Sequence, residues 1–127
     1  MKKATIISLA LILGLCLVAG AFAADRDAIQ KQVDEIVVSI NSGEKAQDFQ
    51  DAAQKKPSYV FIMEENGQML VHPSLVGQSL KDKAEPVYNE CIKATPDGTW
   101  VKYEWQGKEK NTYVRKTKDG LIVGSGY

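Results

Sequence analysis

The sequence predicts an α+β domain: an antiparallel sheet with a long N-terminal helix on one face and a helix-and-loop segment covering a pocket on the other. Three observations carry that prediction. Ile29, Val33, Ile36, Val37 and Ile40 recur at spacings of three and four, which is one face of an amphipathic helix. Two apolar runs, Tyr59 to Met63 and Met69 to His72, flank Glu64-Glu65-Asn66-Gly67, and Asn-Gly tolerates the positive φ of a tight hairpin turn. Beyond residue 98, alternating runs are punctuated by Gly107 and by Lys118-Asp119-Gly120, so hairpin follows hairpin. Consecutive hairpins build an antiparallel sheet.

The first residues are set apart from the fold. Met1-Lys2-Lys3 precedes an apolar run from Ala4 to about Ala19, and Ala21-Phe22-Ala23 is a small-x-small cleavage signal. Residues 1–23 therefore read as a secretory signal peptide, with an uncleaved anchor as the alternative, since the run approaches spanning length. Leu15 directly before Cys16 argues against a lipidation box. Cleavage after Ala23 leaves 104 of the 127 residues, 24–127, as one small domain with no room for a kinase or cyclase. Without Lys2 and Lys3, 14 basic side chains face 16 acidic ones, a balance that does not point to nucleic acid. Cys91 is then the only cysteine, so the core, not an internal disulfide, must hold the fold.

The helical stripe runs from Asp25 to Ile40, with Asp25 and Asp27 at its start, where the helix dipole favours negative charge, and Asn41-Ser42-Gly43 as its stop. A second short helix is expected from Glu44 to about Lys55, with Ala46, Phe49, Ala52 and Ala53 as its thin apolar side. Two hairpin registers are open. A two-residue Asn66-Gly67 loop sets Ile62 opposite Val71 and puts Tyr59, Phe61, Leu70 and His72 on one surface. A turn with Gly67 in a bulge shifts the pairing by one and moves His72 to the face of Val60 and Ile62.

After Pro73, residues 74–80 look like a structured loop, and Pro86 can start a helix to about Thr95 whose face holds Val87, Tyr88, Cys91 and Ile92. Thr99 to Trp105 alternates, with Val101, Tyr103 and Trp105 on one side and Trp100, Lys102 and Glu104 on the other. Asn111 to Lys116 sets Asn111, Tyr113 and Arg115 against Thr112 and Val114, and Leu121 to Val123 begins the last strand, thinned by Gly124 and Gly126. The middle segment, 74–95, then roofs a cavity against the sheet.

A single histidine and a single cysteine in residues 24–127 cannot assemble the usual nitrogen and sulfur metal site, and no cofactor motif is visible. A Cys91–His72 nucleophilic pair has no third orienting group, so no enzyme is predicted. For Cys91 the plain reading is a small buried hydrophobe. Tyr59, Tyr103, Tyr113, His72, Lys110 and Arg115 are the materials for a small anion pocket, against the plainer reading of strand aromatics as core and strand cations as solvated edge charges.

The ordered path Gly43-Glu44-Lys45-Ala46, Tyr59-Val60-Phe61, Asn66-Gly67, His72-Pro73, Val76-Gly77, Trp100-Val101-Lys102-Tyr103, Lys110-Asn111-Thr112-Tyr113-Val114 and Ile122-Val123-Gly124-Ser125-Gly126-Tyr127 resembles the single Cache domain family of extracytoplasmic sensors. The resemblance implies a PAS-like sheet whose pocket lies between the strands and the segment after His-Pro. It implies binding of small molecules, often short carboxylates, in chemotaxis and other signal transduction. By motif position the ligand-binding candidates are Tyr59, Phe61, His72, Tyr103, Lys110 and Tyr113. Such domains commonly sit between transmembrane helices. This sequence ends at Tyr127, so the expectation is a periplasmic binding protein read by a separate membrane receptor, kinase or transporter. The alternative is an accessory or inhibitor module that docks through a sheet edge or an aromatic patch containing Trp100 or Trp105.

Overall fold

The computed structural model describes residues 26–55 and 58–127. The expected signal peptide lies outside these residues. Helix α1 occupies 26–41, followed by 3-10 turns over Ala46–Gln54, strands β1 (Val60–Met63) and β2 (Met69–Val71), helices α2 (Leu80–Lys83) and α3 (Glu85–Cys91), and strands β3 (Thr99–Trp105), β4 (Lys108–Lys116) and β5 (Ile122–Gly126).

All five strands form one antiparallel sheet in the order β2-β1-β5-β4-β3. This order explains the cover over the sheet. The chain leaves β2 at one edge and re-enters as β3 at the opposite edge, so the intervening segment must cross a face. Strand parity separates the two faces. Val60, Ile62, Val71, Tyr113 and Val123 pack with Ile29, Val33, Ile36, Val37 and Ile40 of α1, while Phe61, Met63, Met69, Val101, Val114 and Ile122 pack with Leu80, Val87, Tyr88 and Cys91 of the cover.

The stretch expected as a second α-helix is instead 3-10. Ala46 and Ala53 are buried, Phe49 and Ala52 pack against the same core, and Lys45 at its start provides no side-chain cap. The loop expected over 74–80 leads into α2, which is capped by Ser79, whose hydroxyl accepts from the Asp82 N–H at 3.3 Å. The helix expected to about Thr95 ends at Cys91; Ile92, just beyond α3, is exposed, and Ala94 is buried.

The hairpin uses both registers. Gly67, at φ +95°, donates its N–H to the Glu64 carbonyl at 2.9 Å, and Met63 pairs with Met69 in the shifted register. A bulge then inserts Leu70, and Ile62 pairs with Val71 as in the unshifted one. Leu70 consequently turns to the α1 side, a correction to the surface it was expected to share with Tyr59, Phe61 and His72.

Candidate functional site

Beneath the cover lies a small cavity lined by Tyr59 and Phe61 from β1 and its approach, Met69 and His72 from β2 and its exit, Leu80 from α2, Val87 and Cys91 from α3, and Tyr103 and Trp105 from β3. Tyr59 precedes β1 and His72 follows β2, so antiparallel pairing brings them to the same end of the sheet. Their rings meet edge to face at 5.6 Å, and the Trp105 ring stands 6.5 Å from His72.

His72 is 6 % exposed, and its place in the turn fixes its chemistry. Nδ1 accepts the backbone N–H groups of Ser74 and Leu75, each at 3.0 Å, and the His72 carbonyl accepts from Gln50 Nε2 at 2.9 Å. An imidazole accepting at Nδ1 carries its proton on Nε2, so the ring is neutral and presents an N–H donor. Desolvation favours the same form, pushing its pKa down from 6.5 to about 4.

The acids around it respond to the same burial. Desolvation first, with a smaller contribution from Cys91, raises Tyr59, and desolvation likewise raises Tyr103. Burial pushes the Cys91 thiol up to about 12, helped by Glu90. The Tyr103 hydroxyl accepts from Thr112 Oγ1 at 2.9 Å, which leaves its own proton available for a further bond. A thiol held protonated beside an imidazole held neutral is the opposite of an activated Cys–His pair.

Of the six residues chosen from sequence, Tyr59, Phe61, His72 and Tyr103 line this cavity. Lys110 stands at its rim, with Nζ 5.6 Å from the centre of the Tyr59 ring. Tyr113 belongs elsewhere: on β4 it alternates with Thr112 and Val114 and therefore points to α1. There its hydroxyl donates to Asp34 Oδ1 at 3.0 Å and to the Asp97 carbonyl at 3.1 Å. Arg115 shares that face and ties Asp34 at 2.9 Å to the Pro96 carbonyl at 2.7 Å. Met69, Leu80, Val87, Cys91 and Trp105 complete the lining; the sequence signals among them were the alternation that set Trp105 beside Tyr103 and the helical face that grouped Val87 with Cys91.

The cavity expected beneath the middle segment is present, and it is small. The cavity is about 10 Å³, room for the centre of a single water molecule. Phe61, one of the lining residues, lies against the sheet at Gly124. Gly124 on β5 has no side chain, and the Phe61 ring occupies the position a Cβ would take.

The sequence profile of the family described as Single Cache domain 2 matches residues 20–119, most of the chain. The chain belongs to this family. Among solved structures, this Cache domain is similar to a methyl-accepting chemotaxis protein from Vibrio parahaemolyticus RIMD 2210633, at TM-score 0.57 and 14 % identity, covering 84 % of this chain and 89 % of that one. At that identity the likeness is one of fold, and it matches the PAS-like Cache architecture. The ligand-binding domain of Mlp24, solved with asparagine, aligns at TM-score 0.38 and 15 % identity over 54 % of this chain and 27 % of that one. No curated protein sequence matches.

Proposed function

We propose that this Cache domain binds a small molecule in the cavity beneath α2 and α3, on the outer side of the cytoplasmic membrane, and that a separate membrane receptor, kinase or transporter reads the bound state. The observation that carries the reading is that a neutral, buried His72, with its Nε2–H, shares one cavity lining with the half-buried Tyr59 and Tyr103, whose hydroxyls are further neutral donors. Polar groups aimed into an aromatic enclosure are the usual furniture of small-ligand sites. Because the space has room for about one water molecule, a ligand of several atoms must displace part of its lining. Binding and conformational change are then one event, which suits a sensor.

Residues 1–23 serve in this reading as the secretion signal. Among the described residues, no helix is long and apolar enough to cross a membrane. A short carboxylate, the ligand class suggested by the family resemblance, finds one described cation near the site, Lys110 at the rim. The alternative of a protein-docking module has weaker anchors: Trp105 turns into the cavity, and Trp100 lies under the Arg26 guanidinium, 4.1 Å from its ring centre.

Thermal-shift screening of the purified protein against organic acids, amino acids and their neutral analogues tests the proposal. A true ligand at a hundredfold excess over its Kd stabilises by about 2.7 kcal/mol. The absence of any hit, together with a stoichiometric protein partner recovered without added metabolite, would favour the docking alternative.

A further inference from the structure

The charge of the ligand can be argued further, on the premise that the cavity is the binding site. Among the described residues, the nine that line it include no Asp, Glu, Lys or Arg. The two cations the sequence offered for a carboxylate are placed outside: Arg115 is bound to Asp34 on the opposite face of the sheet, and Lys110 lies over the Tyr59 ring at the rim. What the lining offers is a set of neutral donors, the Nε2–H of His72 and the hydroxyls of Tyr59 and Tyr103, among aromatic and sulfur-bearing walls.

We infer that this cavity takes an uncharged ligand, a small molecule with a planar hydrogen-bond-accepting group such as a carboxamide, ketone or heteroaromatic nitrogen, and discriminates against the isosteric carboxylate. Burying an ion without a paired counter-charge is far more costly than burying a neutral group whose hydrogen bonds are met. The residues in the site report the same penalty. The three acids, Tyr59, Tyr103 and Cys91, are shifted toward their protonated forms and the one base, His72, toward its unprotonated form, with desolvation the leading cause in each. A site that suppresses both signs of charge on its own side chains does so for a guest as well. Aromatic walls then favour a flat guest, and the neutral donors select one that accepts hydrogen bonds.

Matched pairs provide the test: acetate with acetamide, propionate with propionamide, benzoate with benzamide, titrated calorimetrically into the purified protein at pH 7.5. The expected result is that within a pair the amide binds on the order of tenfold or more tighter than the carboxylate. A carboxylate that does bind is expected to lose about tenfold in affinity for each pH unit between pH 6 and pH 8, as it would if only its neutral acid enters. His72→Asn keeps an acceptor for the Ser74 and Leu75 N–H groups but stops short of the Nε2 position, so amide affinity should fall about five- to tenfold.

Carboxylates that bind more tightly than their amides, with affinity independent of pH and lost in Lys110→Gln, would overturn the inference while leaving the binding function intact. Failure of both members of every pair, in a protein shown to be folded, would remove the binding function and this inference with it.

Discussion

Replacing His72 by Asn should abolish a pH dependence of stability that the native turn creates. In the folded protein the ring is buried and accepts two backbone N–H groups at Nδ1, which holds its pKa near 4 against 6.5 when exposed. Between those values the unfolded chain binds a proton that the folded chain does not, so stability rises with pH. The contribution is fully present above pH 6.5 and is lost progressively as pH falls toward 4. With 1.36 kcal/mol per pH unit, the full loss is about 3 kcal/mol, a large share of the stability of a small domain. Urea denaturation followed by tryptophan fluorescence at pH 7.5, 6, 5 and 4 measures it. At pH 7.5 the Asn variant should lie about 1–2 kcal/mol below the native protein, reflecting lost ring packing with the turn still capped. By pH 4 that gap should close or reverse. Parallel pH profiles for the two proteins would refute the reasoning, because they would mean that His72 is free to titrate. The same geometry changes the use of His72→Ala. That variant also strips the acceptor from Ser74 and Leu75, so the Asn variant is the cleaner probe of the Nε2–H.

Other outcomes follow from the same geometry. Tyr113→Phe removes the donor to Asp34 and to the Asp97 carbonyl on the α1 face, and should lower stability by about 1–2 kcal/mol while leaving affinity for any cavity ligand within about twofold, measured by denaturation and calorimetry side by side. Gly124→Ala places a methyl where the Phe61 ring lies and should destabilise by about 1–3 kcal/mol, with Phe61→Leu in the same chain restoring part of the loss. Cys91, fully buried and held protonated, should be unreactive to Ellman's reagent in the native protein, and a protein of residues 24–127, which lacks Cys16, should titrate as one thiol in denaturant.

The main architecture was legible because burial leaves a period in the sequence. The α1 stripe, the alternation on β3 and β4 and the hairpin positions all correspond to packed faces. Position His72 was harder. Its side depended on one extra residue, Leu70, and a bulge leaves no periodic trace in a three-residue strand. Tyr113 was assigned to the site by its place in an ordered motif, although its own alternation with Thr112 and Val114 already set it on the other face; parity outranks motif order when strands are paired. Met69, Leu80, Val87 and Cys91 were invisible as site residues for a different reason. A side chain that lines a cavity and one that fills a core are the same letters, and only the packing distinguishes them. The size of the space was beyond the sequence for the same reason, since it depends on how all nine lining side chains pack.

The central claim is that ligands enter beneath α2 and α3, and the two tryptophans, one on each face of the sheet, report on it directly. Trp105 lines the cavity, whereas Trp100 packs against Tyr113 and Tyr127 on the α1 side. Their indole N–H signals, assigned with Trp100→Phe, can be followed by proton–nitrogen NMR during titration with benzamide or another bound amide. The account predicts a saturable shift of the Trp105 signal with Trp100 unmoved. A ligand that binds measurably while shifting Trp100 and leaving Trp105 in place would contradict it.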